Sequence, residues 1–498
     1  MRKAMPIFYS ALLLTAVNLL LRFVSTSFQV YASGQIGAAG VGLLQLVLSV
    51  GALSVTAAMA GARTATMYTV AEELGKGRPQ NVRWMLRGSV LFSILCSATV
   101  SFLMYHFAPS IAGSWIGHHS TADAVRLYAC FLPLICLCGV MTGYFTAANR
   151  ITTLAAVEVA EQCVSMAVTM LLLRFRADGD PAKACVCIVL GSGLGNVLTF
   201  CVLSFLRYRE RAPRGDKVPV AGRLLKIAVP LALADDLKAG ISTTENLMVP
   251  KRLALYGGTQ APLAAFGTVL GMVFPVLMFP AAILYALADL LIPELARCAA
   301  AGSSRRIQYL ALRSLKVALL YGLLSGGILF LLSDFLCLSL YGSPDAAYYL
   351  RLYAPLAPML YCDAITDAMV KGLGQQTASV RYNIFTSAMD VALLFILLPH
   401  FGMDGYFFSF LITHLINFLL SLRRLTKIAK VRIPISLPFL ACAATVAAVF
   451  LSAIPHQPAF RCVSFLLLLG SLLTLFGIVG KEDALWLKGL LTKKQSGS

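Results

Sequence analysis

The sequence predicts an all-α polytopic membrane protein with about fourteen transmembrane helices. Three observations predict it: apolar runs of spanning length recur from end to end, charge is scarce, and the basic residues collect on one side of the implied membrane. Charged residues make up 13% of the 498-residue chain and hydrophobic ones 59%, where a soluble domain carries about 25% charged residues. A bilayer core about 30 Å thick needs about 20 apolar residues in a helix. Barrel strands are about ten residues long and alternate in polarity; these runs are longer and apolar on most faces.

The spans fall at 6–31, 38–62, 85–107, 124–146, 152–173, 184–206, 224–247, 261–289, 310–333, 347–370, 377–399, 404–422, 435–454 and 460–479. The first follows Met1-Arg2-Lys3, and Val30-Tyr31-Ala32 looks like a signal-peptidase site. The run exceeds the roughly 7–15 residues of an h-region and contains Arg22, so an uncleaved first helix is expected.

The net charge is +19, which invites a nucleic-acid reading. The placement of the charges argues against one. Of the 41 Lys and Arg, thirty fall in connections on one side, eight on the other, and Arg22, Arg63 and Lys238 within spans. By the positive-inside rule the richer side is cytoplasmic, which puts both termini there and makes the charge a topology signal. The outer connections are too short for a folded catalytic domain. The longest inner linker, 207–223, holds Pro213, Gly215 and Pro219 and reads as a hinge.

The chain repeats. Arg126-Leu127-Tyr128-Ala129 with Pro133 recurs as Arg351-Leu352-Tyr353-Ala354 with Pro358, 225 residues on, and Thr152 recurs as Thr377 at the same offset. Arg87-Gly88-Ser89 pairs with Arg313-Ser314-Leu315 at offset 226. Six spans per repeat leave both halves in one orientation, a recurring transporter plan with the substrate site near the bilayer midplane. The expected organisation is an N-lobe over 1–210, a C-lobe over 211–430, and an added helix pair with a cytoplasmic tail over 431–498.

Charge at membrane depth is costly and marks pathways, and helical spacing shows which residues share a face. In the first span Thr15, Asn18, Arg22, Ser25 and Gln29 form one stripe. In the second, Gln45, Ser49, Thr56 and Arg63 share a face. In the seventh, Asp235, Lys238, Ser242 and Glu245 follow i, i+3, i+7, i+10, with Asp236 about 100° away. A wet cavity carrying Arg22, Arg63 and Lys238 suits an anionic substrate such as a diphosphate, which Arg holds bidentately and Lys as a point charge. The competing reading is internal neutralisation: Asp235 pairs with Lys238, and Arg63 snorkels to the interface. Glu158, Glu161, Asp363, Asp367 and Asp390 are candidate Na⁺ or proton coupling sites, with structural pairing as the alternative.

Other motifs yield to plainer readings. Thirteen cysteines show no CxxC pair or zinc-ligand spacing and read as small apolar fillers, so no metal or cofactor is expected. Asp178-Gly179-Asp180 has the form of a sugar-nucleotide DxD but lies on the outer side before Pro181, where a turn is expected. Gly372-Leu373-Gly374 lacks the strand and GK[ST] of a phosphate loop. His118-His119 has no partner at ligand spacing.

A further set of stretches stands in order along the chain: Arg22 with Ile36-Gly37 and Gly40-Val41-Gly42-Leu43; Val70-Ala71-Glu72; Gly143-Tyr144-Phe145 with Glu161-Gln162; Ala228 to Ala232; Leu247 to Leu253; Gly271-Met272 with Phe279-Pro280; Ile292 to Leu295; and Gly372 to Gln375. By their order and spacing together the chain resembles the stage V sporulation protein B group of polysaccharide exporters. That group belongs to the multidrug/oligosaccharidyl-lipid/polysaccharide flippase superfamily, alongside the MurJ lipid II flippases. The resemblance implies two lobes around a cavity and alternating access in a bacterial cytoplasmic membrane. It also implies a lipid-tail groove on spans 13 and 14, and a basic cavity residue at Arg22. The implied partners are an undecaprenyl-diphosphate-linked sugar precursor, membrane lipids and envelope-synthesis enzymes. Gln29 stands where relatives often have a second basic residue, Arg63 where they have Pro, and Tyr68 where they have Lys. Against this flippase expectation stand a cation-coupled small-molecule exporter of the same superfamily, a membrane glycan polymerase and an assembly scaffold. The short outer loops count against an enzyme.

Overall fold

The computed structural model describes residues 7–176, 179–209, 220–257, 261–431, 436–454 and 457–480, with side chains from Leu19 onward. The expected tail beyond 480 and most of the 207–223 linker lie outside these residues. The described residues are helical almost throughout and contain no strand. This is the all-α, multi-pass membrane protein that the apolar runs imply: with no water to bond to in the bilayer core, the backbone must satisfy its own polar groups.

Each predicted span falls on helix. The first two are α1 (7–36) and α2 (38–59), one continuous helix broken at Gly37, whose φ is 68°. A six-residue connection was expected between them, but glycine's freedom at positive φ turns the chain within one residue. Beyond Ala60 and Gly61, both left-handed, comes α3 (Ala62–Gly75). Then follow α4 (Pro79–His106), α5 (Ala122–Ala147), α6 (Ile151–Arg176), α7 (Pro181–Arg209) and α8 (Ala221–Leu253). The eighth span is a bent pair, α9 (Pro262–Met278) and α10 (Ala281–Ala300), turned by 62°. Next come α11 (Ser304–Leu331), α12 (Ser333–Tyr341), α13 (Pro344–Tyr353) and α14 (Ala357–Gly372). Spans 11 and 12 are α15 (376–401) and α16 (403–429), again one helix broken at a glycine, Gly402, φ 59°. The added pair is α17 (Ser436–Ser452) and α18 (Pro458–Leu475).

Eight helices are long and apolar enough to cross a membrane by length and composition alone, and the bent pair makes a ninth. Two of the eight hold two spans each, across the breaks near Gly37 and at Gly402. The seventh and tenth spans miss the criterion because they carry the polar residues discussed below, and α17 because it is 17 residues long.

The 225-residue repeat governs where helices end. Helices close at Gly75 and Ala300, start at Pro79 and Ser304, close at His106 and Leu331, close at Ala147 and Gly372, and restart at Ile151 and Gln376. Each pair is 225 apart. Left-handed residues follow the same offset: Gly77 and Gly302, Gly117 and Gly342, Asn149 and Gly374. Three of these sites show why. Arg78 N bonds to Glu73 O at 2.9 Å, Ser303 N to Cys298 O at 3.0 Å, and Arg150 N to Phe145 O at 3.0 Å. These are the six-to-one bonds of a Schellman termination, which needs its left-handed residue just past the helix.

Contacts divide the chain into two compact units. The first comprises 1–272 and 387–409, the second 273–386 and 410–498. In the first, a core of Met85, Val140, Phe145 and Leu203 joins α4, α5 and α7. At the start of α8 Arg223 reaches Glu72 at 2.8 Å and Glu73 at 2.7 Å, and Asn81 donates to Glu73 at 2.8 Å. Glu73 is buried, so these charge-assisted bonds satisfy a carboxylate that would otherwise be costly. In the second unit α17 and α18 pack on α11 through Ala444, Phe465 and Leu469. Their other faces leave Phe439, Phe450, Phe460 and Leu467 exposed, as lipid-facing helices do.

Small residues let α2 and α9 approach closely. A Cβ on Gly42 would sit 2.2 Å from Leu263 O, and one on Gly267 2.1 Å from Ala38 O. Neither backbone atom can move aside without separating the helices. Gly42→Val is therefore expected to destabilise the fold by about 1–3 kcal/mol, seen as a lower melting temperature in detergent. Gly34→Ala, with nothing within 4 Å, is expected to leave it unchanged or slightly raised.

Candidate functional site

The predicted polar faces of the first and seventh spans are real surfaces of the first unit. On α1, Arg22 and Ser25 are exposed; Thr15 and Asn18 precede the described side chains. Gln29 ends the open stretch, because its Nε2 donates to Gly271 O at 2.9 Å. It fastens α1 to α9, which is packing work. On α8, Asp235, Lys238 and Ser242 are exposed. The expected neutralisation of Asp235 by Lys238 is not formed: no ion pair joins them among the described residues. Asp236 lies half-buried.

Arg63 is also exposed, but the face assigned to it needs correction. The spacing from Thr56 to Arg63 assumed one straight helix. The left-handed pair Ala60 (φ 43°) and Gly61 (φ 70°) breaks it, so Arg63 opens a new helix. There it comes within electrostatic reach of Glu158 on α6. The break is held in place from outside: a Cβ on Gly61 would meet Ala228 O at 2.6 Å.

Farther along α8, Thr243, Glu245 and Asn246 turn inward while Thr244 stays exposed. Thr243 Oγ1 donates to Ser49 O at 3.1 Å and Asn246 Nδ2 to Ser49 Oγ at 3.0 Å. Ser49 in turn donates to Gln45 O at 2.7 Å. Two residues of the predicted second-span stripe thus serve to hold α8. Glu245 hydrogen-bonds to Asp390 on α15, and Ser409 Oγ on α16 donates to Asp390 Oδ1. Two carboxyls in one place repel when both are ionised. Glu245 was expected to line the substrate cavity and Asp390 to serve coupling; the structure joins them into one group.

Toward the C-terminal end of α8 in the same unit lies a cavity of about 450 Å³, lined by Leu53, Trp115, Thr243, Leu247, Lys251 and Arg252 among others. Lys251 donates to Ser114 O, and the Arg252 guanidinium stacks 3.1 Å from the Phe395 ring centroid. Both cations already have work to do there.

The remaining candidates separate. Glu161 accepts from Thr199 Oγ1 at 2.6 Å, a structural partner on α7. In the second unit Asp367 is matched by Lys371 at 2.6 Å and by Ser379. Asp363 is buried and takes both of its hydrogen bonds from Asn417 Nδ2, each at 3.1 Å. His414 lies beside it, Nδ1 3.9 Å from Asp363 Oδ2. The sequence reading passed over His414 and Asn417. A signal was available: His414, Asn417, Ser421 and Arg424 follow i, i+3, i+7, i+10, the spacing of the seventh-span stripe. The DxD motif is a turn over its described part, with Gly179 at φ 72° and Asp180 Oδ1 accepting from Ala182 N at 2.9 Å.

The comparisons agree with this architecture. The MatE family model matches residues 14–175. Stage V sporulation protein B of Bacillus subtilis (strain 168) is 23% identical over 458 residues, covering 90% of this chain and 88% of that protein. Among solved structures, a lipid II flippase MurJ in an inward closed conformation superposes with a TM-score of 0.68 at 14% identity. It covers 93% of this chain and 98% of its own. A multidrug resistance MATE family transporter of the MOP superfamily, inward-facing, superposes with a TM-score of 0.66 at 16% identity, covering 84% and 99%. The chain has the fold of these transporters, and the resemblance read from its sequence stands.

The exposed faces of α1 and α8 predict which positions meet water. In a cysteine-free background, Ser25→Cys and Lys238→Cys are expected to react with a water-soluble maleimide in membrane vesicles. Thr243→Cys, buried against Ser49, is expected to stay unlabelled.

Proposed function

We propose that this protein is a transporter that moves an undecaprenyl-diphosphate-linked sugar precursor across the bacterial cytoplasmic membrane by alternating access. The observation that carries the reading is a set of basic side chains, Arg22 and Lys238 above all, on exposed helix faces within spans that the sequence predicts to cross the membrane. Keeping a charge at such a depth is costly unless it faces water or a counter-charge. A diphosphate is the part of a lipid-linked precursor that uses such charges, through bidentate Arg contacts and the point charge of Lys. The sugar moiety would be met by the neighbouring Ser25, Ser242 and Asp235, and the prenyl tail by apolar surface such as that of α17 and α18.

The relatives support a lipid-linked cargo over a small soluble one. The flippase superposition covers 93% of the chain and the multidrug transporter 84%, the difference expected of an added helix pair. That pair presents large apolar side chains outward, as a route for a long isoprenoid requires.

The test is transport by the purified protein in liposomes containing a fluorescent undecaprenyl-diphosphate disaccharide-peptide. Protection from an impermeant quencher is read with and without an imposed potential. Wild type is expected to move the lipid and Arg22→Ala to reduce the rate by at least about tenfold, the effect of losing about 1.4 kcal/mol of charge-assisted binding. Movement of small cationic dyes with none of the lipid would favour the exporter reading. Full activity of Arg22→Ala would remove this residue from the pathway.

A further inference from the structure

One face of α8 points away from Asp235, Lys238 and Ser242. Gly240, Thr244, Leu247, Met248, Lys251 and Arg252 recur at the three- and four-residue spacing of a single helix face, and all of them line the cavity of about 450 Å³. At about 100° per residue, that face lies roughly opposite the exposed polar one. Ser49 of α2 holds α8 on one flank, and Asp390 and Phe395 of α15 hold it on the other. The cavity and the exposed polar face therefore sit on different sides of the helix.

The lining changes in character along this face. From Gly240 to Arg252 the helix rises roughly 18 Å. Over Gly240 there is open space, where a Cβ would meet nothing within 4 Å. Leu247 and Met248 follow, and Leu53 of α2 and Trp115 of the α4–α5 connection complete the apolar wall. The hydroxyls of Thr243 and Thr244 are spent on Ser49 O and Gly240 O. The last turn carries two cations. The predicted seventh span ends at 247, so Lys251 and Arg252 stand about one turn beyond it, at the level where headgroups meet chains and where Trp is favoured.

Both cations are held beside the cavity. Lys251 Nζ donates to Ser114 O, which uses one of the three donors of an ammonium. The Arg252 guanidinium lies over the Phe395 ring, and stacking by its face leaves the five donors of its edge available. Among the described residues neither cation forms an ion pair, and Arg252 forms no hydrogen bond. An apolar cleft that ends in two pre-positioned cations matches an amphiphile with an anionic head. The Arg fork and the Lys point charge suit phosphate. A zwitterionic headgroup would set its own ammonium against the same two charges, and an anionic one would not.

We propose that this cavity binds one anionic phospholipid of the surrounding bilayer, with its phosphate on Lys251 and Arg252 and part of one acyl chain along Trp115, Leu247 and Gly240. The site does not rest on the cargo reading, because none of its residues belongs to the exposed faces that carry Arg22 and Lys238.

Trp115 lies in the wall and reports on the site. In the full-length protein, Trp84→Phe with Trp486→Phe leaves it as the one tryptophan. That protein is reconstituted, without cargo, in phosphatidylcholine vesicles holding a minor fraction of brominated phosphatidylglycerol or of brominated phosphatidylcholine, and quenching of Trp115 is titrated. The brominated phosphatidylglycerol is expected to associate at least about tenfold more strongly, the scale set by two interfacial cations. This preference is expected to vanish in Lys251→Gln with Arg252→Gln. It is expected to weaken in Gly240→Leu, which fills the far end of the cavity, leaves the charges in place, and carries the test if the charge variant fails to fold. Equal quenching by the two lipids would overturn the proposal and leave Lys251 and Arg252 as interfacial anchors only. So would a preference that survives the charge substitutions, or one unchanged in Gly240→Leu. Loss of the preference on adding excess free glycerol phosphate would also overturn it, marking a site for a soluble anion.

Discussion

Placing a charged side chain at the centre of a bilayer costs roughly 2.5–3.5 kcal/mol on insertion scales, and that cost decides where this chain can put every polar residue. The apolar runs give the spans. The charges that remain inside them must face water, a counter-charge or a hydrogen-bond partner. In the first unit the structure sorts them into two kinds. Arg22, Ser25, Asp235, Lys238 and Ser242 stay on exposed faces, whereas Ser49, Thr243, Asn246, Glu245 and Asp390 turn inward and satisfy one another. On α8 the division is between faces: Ser242 and Thr244 stay exposed, while Thr243 between them packs on Ser49 of α2. One helix thus carries both an exposed polar face and a packed one; under the proposed function the exposed face is the one that meets the anionic cargo.

The backbone obeys the same economy. Breaks in the long helices sit at residues that adopt positive φ cheaply, such as Gly37, Gly61 and Gly402. Gly42 and Gly267 bring backbones into contact where no side chain fits. The resulting fold is shared with proteins barely alike in sequence, at 14–16% identity. Such a fold can outlast its sequence because it is specified mainly by apolar length and by the few positions that must be small or left-handed.

Much of this was legible in the sequence. Run length placed all fourteen spans, and a match of a few residues at offset 225 gave a repeat that the helix ends at 75 and 300, 106 and 331, and 147 and 372 follow. Arg22 and Lys238 stood out because a lone charge in an apolar run needs a reason. What escaped was whatever depends on the chain meeting itself. Gln29 is drawn into packing by a carbonyl 242 residues away, and Glu245 and Asp390 looked like members of separate sites until their helices came together. Arg63 was misplaced because spacing arguments assume a straight helix, and the left-handed pair Ala60 (φ 43°) and Gly61 (φ 70°) breaks this one. His414 and Asn417 carried a readable stripe, but polar neutral residues attract less notice than charged ones.

The central claim is that the exposed face of α1 meets a diphosphate-linked lipid. A photo-crosslinking amino acid at Ser25, in membrane vesicles carrying a mixed population of native lipids, tests it directly, with the adduct identified by mass spectrometry. The expected adduct bears the isoprenoid, the diphosphate and a sugar, and is diminished by Arg22→Ala. Adducts of bulk phospholipid alone, in the same yield with and without Arg22, would contradict it.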